Sequence, residues 1–246
     1  MNICVIHGSM RKGNTYRLTQ EVINCLKSHD VKITEINISD LELPFCKSCH
    51  LCFFKGESKC PHYQIMKTVT EKIESCNGLI LSGAVYSKHL NASMKNLIDH
   101  LSYYFHRPRL FDKKGLVITT TAGAGEKIVA KYLKSVMFQW GITNVQTLSC
   151  KIQAMPFPLN EKQKKIVDSV TEKFYNAILR DKIKEPNMNV LFTHNTFRAM
   201  NTTNNPFLAY DKAYWEQNGL DSKVYSRKVN IFKTLYGELV YFLKKI

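Results

Sequence analysis

Short apolar runs alternate with amphipathic stretches along most of this chain, and that rhythm limits the fold more than any other feature. Strands are predicted at Asn2–His7, Lys32–Ile38, Gly78–Val85, Gly115–Thr120 and Val145–Leu148. Helices are predicted at Thr15–Ser28, Gln64–Cys76, Ala92–Tyr104, Glu126–Gln139 and Glu161–Leu179. Each strand is rich in Val and Ile and mostly apolar on both faces, as parallel strands covered by helices above and below must be. The expected class is α/β, an open doubly wound five-stranded parallel sheet. Ser75-Cys76-Asn77-Gly78 reads as a helix end with Gly78 as a left-handed stop.

A length of 246 residues with 44% hydrophobic content buries one large core, or one core plus an appendage. The expected division is a domain over 1–181 and a mostly helical extension over 182–246, because the rhythm ends near Lys182. Pro186 follows alternating charges, and Asn195 to Asn205 is polar. Val229–Ile246 reads as an amphipathic helix. Its apolar face is Ile231, Phe232, Leu235, Tyr236, Leu239, Val240, Phe242 and Leu243, and its basic face is Lys228, Lys233, Lys244 and Lys245. A membrane surface would accept such a helix. Packing on the parent domain or on a second subunit is the expectation here, because amphipathic helices cover cores.

No apolar run is long enough to span a bilayer, and Met1 leads straight into a strand with no leader before it. A soluble, cytoplasmic protein is expected. Eight cysteines in a reducing compartment read as metal ligands, redox groups or core filler rather than disulfides. The net charge of +15 favours anionic partners, and a lysine-rich solvated surface accounts for it as well. No zinc-finger, RNP or helix-turn-helix signature accompanies the charge, so nucleic acid is not expected as a partner.

Three loops follow strands whose carboxyl ends share one edge of such a sheet, where ligands bind. Ser9–Thr15 is polar and basic and runs into a helix, so its amides, hydroxyls and helix dipole suit a phosphate. It matches neither the dinucleotide glycine fingerprint nor the P-loop, and an ordinary βα turn is the alternative. Gly83–Lys88 offers an aromatic ring and exposed backbone. Thr119–Gly125 is a small-residue loop that a flat ring can approach closely. Tyr86 as core packing, and the threonine run as a helix start, are the alternatives for these two. One loop for phosphate and two for a planar heterocycle suit a mononucleotide with a tricyclic ring.

These pieces, Gly8-Ser9-Met10-Arg11-Lys12-Gly13-Asn14-Thr15, Val85-Tyr86-Ser87 with Ser93–Asp99, and Thr120–Gly125, resemble the flavodoxin-like NAD(P)H-dependent FMN reductases. The closer likeness is to their iron–sulfur flavoprotein branch, over roughly residues 1 to 180. The resemblance implies FMN with its phosphate on Ser9, Arg11, Asn14 and Thr15. It implies the ring between Val85, Tyr86 and Ser87 on one side and Thr121, Ala122, Gly123, Ala124 and Gly125 on the other. Ala84 stands where the family commonly has Pro.

Cys46, Cys49 and Cys52 recur at two-residue spacing and Cys60 follows, a compact run of the kind that ligates iron–sulfur clusters, with zinc as the other candidate. The resemblance implies a candidate 4Fe-4S cluster that exchanges electrons with FMN. The family's acidic pair after the fourth cysteine is replaced by Pro61-His62-Tyr63-Gln64, and a cysteine-lined wall near the flavin is the other reading. Cys4, Cys25, Cys76 and Cys150 read as small core residues. Tyr103, Tyr104 and Phe105 read as core before Pro108, while Arg107 and Arg109 are expected to face an anion.

The expected function is an FMN-dependent oxidoreductase taking hydride from NAD(P)H and passing electrons to a quinone, flavin, metal or aromatic acceptor. The flavin carries the reaction, so no catalytic side chain is assigned. An iron–sulfur flavoprotein electron carrier is the first rival. A flavin-free binding protein with a docking tail is the second. The resemblance also implies a homo-oligomer, a dimer or tetramer.

Overall fold

The structure is a computed structural model and describes residues 1–152, 159–181, 184–203, 205–221 and 229–245. Lys182, Lys228 and Ile246, which figured in the expected extension, lie outside the described residues. Five strands run parallel: β1 (Asn2–His7), β2 (Lys32–Asn37), β3 (Gly78–Tyr86), β5 (Lys114–Thr121) and β6 (Asn144–Lys151). A sixth, β4 (His89–Leu90), pairs antiparallel with the end of β3 through a two-residue turn. The order β2-β1-β3-β5-β6 is flavodoxin-like and reverses direction between β1 and β3. The expected five-stranded sheet is correct for its parallel part.

Helices α1 (Asn14–Lys27) and α7 (Glu161–Leu179) pack together over one face, burying Leu18, Val22, Phe174 and Ile178 against Ile3, Val5 and Ile80. Between β2 and β3 the chain forms α2 (Leu51–Phe54) and α3 (Tyr63–Ser75). Helix α4 (Ala92–His100) and the short α5 (Tyr103–His106) follow the hairpin, and α6 (Glu126–Gln139) joins β5 to β6. On the second face Met66, Ile73, Met94, Leu97 and Leu133 cover Cys4, Ile6, Leu79 and Val117. The helix predicted over Ala92–Tyr104 is therefore interrupted at Leu101-Ser102.

Gly78 is not a left-handed helix stop. It opens β3, and a Cβ there would sit 2.6 Å from Ile178 Cδ1 and 2.7 Å from Phe174 Cζ, so its small size lets α7 close on the sheet. Past the sheet come α8 (Met188–Asn201), α9 (Ala209–Gln217) and α10 (Ile231–Lys244). The polar stretch from Asn195 is helical as far as Asn201, with Asn195, Arg198 and Asn201 buried. Asn187, Asn160 and Asn230 cap their helices by accepting an amide hydrogen three residues on. No helix among the described residues is long and apolar enough to cross a membrane.

Candidate functional site

The carboxyl ends of β1, β3 and β5 lie side by side, so the loops after them form one rim. Gly8 leaves β1 by donating to Ser82 O at 2.8 Å, and its own carbonyl accepts from Asn91 Nδ2 and from Ser93 Oγ (2.6 Å). Helix α1 begins without a side-chain cap or a first-turn carboxylate, and Arg11 and Lys12 lie exposed before it. Its first amides are open to an anion. Asn14 Oδ1 is buried with no protein partner. An amide can present either end, so this group fits a phosphate's need for donors. Under the loop His7 Nε2 donates to Glu35 at 2.7 Å, and burial holds the imidazole below its usual range despite that carboxylate.

Two contacts lock the loops together. Thr15 and Thr120 share a hydroxyl bond of 2.6 Å between the first loop and the end of β5. Gly125 has φ +107°, and a Cβ there would meet Lys88 O at 2.7 Å and Val85 Cγ1 at 2.9 Å, so only glycine lets the second and third loops close. Ser87 and Lys88 both have positive φ, the twist of a tight hairpin turn, and Tyr86 at its edge is 46% exposed. Thr121 folds its loop by donating to Ala124 O and accepting from Gly123 N, both at 3.2 Å. Nothing lies within 4 Å of the position a Gly123 Cβ would take. Val85, Tyr86, Ser87 and Thr121 to Gly125 thus share one corner, with Thr15 beside them. Ser9, half-buried, and Arg11, exposed, lie in the loop between β1 and α1.

Helix α4 carries the rim to the cysteines. Its start grips Gly8; one turn on, Asn96 donates to Leu43 O (3.2 Å) and Pro44 O (3.1 Å) and accepts from Cys46 N (3.0 Å). Cys46, Cys49, Cys52 and Cys60 all line one cavity of about 410 Å³. All four are free thiols. Burial pushes the Cys52 thiol up to about 11, the neighbouring Cys60, Cys46 and Cys49 reinforce that, and the Arg107 cation opposes it. Burial also raises Cys60. Among the described residues no three His, Cys, Asp or Glu side chains stand at ligand spacing about one point. A carbonyl only accepts, so His100 carries its proton on Nδ1 toward Asn96 O (2.9 Å) and accepts from His62 Nδ1 at 2.8 Å.

Arg107 and Arg109 are not open to an external anion. Arg107 is fully buried on Asp211, Glu57 and Cys52 O, and Arg109 pairs with Glu57 at 3.0 Å and Glu74 at 3.4 Å. Tyr103 and Tyr104 are core, as expected. Cys4, Cys76 and Cys150 are buried, whereas Cys25 is half-buried with its thiol 3.3 Å from Asp168 Oδ1. Asn91, just before α4, and Asn96 within it carry no site signal in the sequence, because an asparagine at a helix start or on its face reads as ordinary.

Residues 1–154 match the family described as NADPH-dependent FMN reductase, and the chain belongs to that family. An iron-sulfur flavoprotein of Archaeoglobus fulgidus is 33% identical over 142 residues, 57% of this chain and 64% of that protein. One from Clostridioides difficile is 26% identical over 234 residues, 89% of this chain and 100% of that protein. The chain thus spans less than two thirds of the Archaeoglobus relative. Among solved structures, an apo NADH:FMN oxidoreductase aligns with TM-score 0.56 and 17% identity over 72% of this chain and 89% of its own. A Bacillus anthracis FMN-dependent NADH-azoreductase in complex with FMN aligns with TM-score 0.52 and 15% identity, covering 73% and 99%. These likenesses establish the shared fold.

Proposed function

We propose that this protein is an FMN-dependent oxidoreductase that takes electrons from NAD(P)H and passes them to a small-molecule or protein acceptor. The observation that carries the reading is the rim itself: two of its three loops are locked through Gly125, and the first is tied to β5 through Thr15 and Thr120. FMN supplies two-electron chemistry with a nicotinamide and one- or two-electron transfer onward. Ser9, Arg11, Asn14 and Thr15 hold the phosphate at the uncapped start of α1. Val85, Tyr86 and Ser87 lie against the ring on one side and Thr121 to Gly125 on the other, with backbone amides stabilising negative charge on it.

The four thiols facing one cavity fit an iron–sulfur cluster in chemistry, and a 4Fe-4S cluster would shuttle single electrons there. Helix α4, which grips Gly8 at one end and the cysteine loop at Asn96, supports an electron path between the two sites. The same link supports the second reading, an electron carrier without a dedicated organic substrate. The chain also pairs with a second copy through α10, where Ile231, Phe232, Leu235, Leu239, Phe242 and Leu243 are each more than half exposed.

The test is anaerobic purification followed by addition of NADPH or NADH. A bound flavin whose visible band bleaches, with iron and sulfide present in the protein, is the expected result. A flavin that neither nicotinamide reduces overturns the reductase reading.

A further inference from the structure

The cysteine loop is held at two places from the sheet domain, and the second hold leans on the C-terminal helices. Asn96 secures its beginning. Its middle is secured by Arg107, which has no exposed surface and donates through Nη2 to Cys52 O at 2.6 Å and to Glu57 at 3.2 Å. The other arm of the guanidinium bonds Asp211 of α9, itself 1% exposed, which also accepts from His106 Nδ1 at 2.8 Å. A buried guanidinium stays in place only while it is compensated, and Asp211 is its fully buried counter-charge.

Helix α9 also touches the loop directly. The Tyr210 ring centre lies 4.8 Å from the Arg107 guanidinium carbon. Gly56, at φ +88°, comes so close to the same ring that a Cβ would stand 2.5 Å from Tyr210 Cζ. In the turn just before α9, Phe207 lies tilted against Phe54, with ring centres 5.2 Å apart. Trp215 Nε1 donates to His106 O at 2.6 Å and Tyr214 to Pro108 O at 3.1 Å, fixing α9 to the segment that carries Arg107.

We propose that Arg107 is the positioning residue of the cysteine loop, and that Asp211 and Tyr210 of the C-terminal segment hold it in that role. The geometry of the quartet is then set by a part of the chain beyond the stretch that matches the family. The weight this gives the quartet rests on the cluster reading above, whereas the clamp itself stands on the loop's order alone.

The experiment compares full-length, metal-free, reduced protein with its Asp211→Asn, Tyr210→Ala and Arg107→Lys variants. Hydrogen–deuterium exchange reads the amides of Phe53, Phe54, Lys55, Lys59 and Cys60, all bonded within the loop. Iodoacetamide labelling mapped to each cysteine reads access to Cys52. Expected are exchange and Cys52 labelling about tenfold faster or more in each variant, with Cys25 labelling and the amides of β1 and β3 unchanged. Arg107→Lys keeps the charge but cannot span Asp211 and Cys52 O together, so it separates positioning from charge balance. Wild-type exchange over 46–60 in both Tyr210→Ala and Asp211→Asn overturns the proposal, as does equal acceleration through the sheet. Iron and sulfide uptake by the wild type is scored separately and tests the cluster reading alone, so the two failures are distinguishable.

Discussion

His194 lies in α8 with its ring centre 4.9 Å from that of Trp215, beside Val190, Phe197 and Phe105. Burial, helped by the Arg198 cation, holds the imidazole down at about 3. In the unfolded chain the same group titrates near 6.5, so between those values the unfolded state carries the extra proton. The stability linked to His194 is complete above about pH 6.5 and falls by about 1.4 kcal/mol per unit as the pH drops. Melting followed by tryptophan fluorescence should show a falling Tm from about pH 7 to about pH 5, and a shallower fall in His194→Phe. Parallel slopes in the two proteins would contradict this. Single residues were the least legible level of the sequence. Arg107 looked like an anion ligand because nothing nearby announces Asp211, its partner 104 positions away. Gly78 looked like a helix stop because its neighbours, Phe174 and Ile178, meet it only through the fold.

Elements were far more legible. The predicted strands end within three residues of the observed ones, β1 coinciding at both ends, because period and β-branched content report burial on both faces directly. Helices α6 and α7 match their predicted spans, Glu126–Gln139 and Glu161–Leu179. Helix α8 was hidden because its buried face includes His194, Asn195, Arg198 and Asn201, which read as loop in a polarity pattern. Helix α10 was read correctly, and its exposed stripe carries a consequence for assembly. Tyr236, Gly237 and Val240 face α8, and the opposite stripe, exposed, is the face proposed above to meet a second copy. Sedimentation equilibrium should give a dimer for the wild type and a monomer for a Phe232→Glu, Leu239→Glu double variant that still melts cooperatively. A monomeric wild type would remove the interface.

At the scale of the whole molecule, the sheet order places three loops on one rim, and their place after apolar strands made those loops legible in the sequence. The rim's internal fastenings were not legible: Thr15 to Thr120 spans 105 positions, and the fit of Gly125 against Lys88 depends on a positive-φ hairpin turn. The same rim, through α4, reaches the cysteine loop, and through that loop the C-terminal helices. Flavin binding at the rim is the claim on which the rest depends. It is measured most directly by titrating FMN into the flavin-free chain and following the quenching of flavin fluorescence. Saturable, stoichiometric uptake is expected, weakened about tenfold or more in an Arg11→Ala, Asn14→Ala variant that loses charge-assisted phosphate contacts. Absence of saturable binding, or undiminished affinity in that variant, would contradict the account.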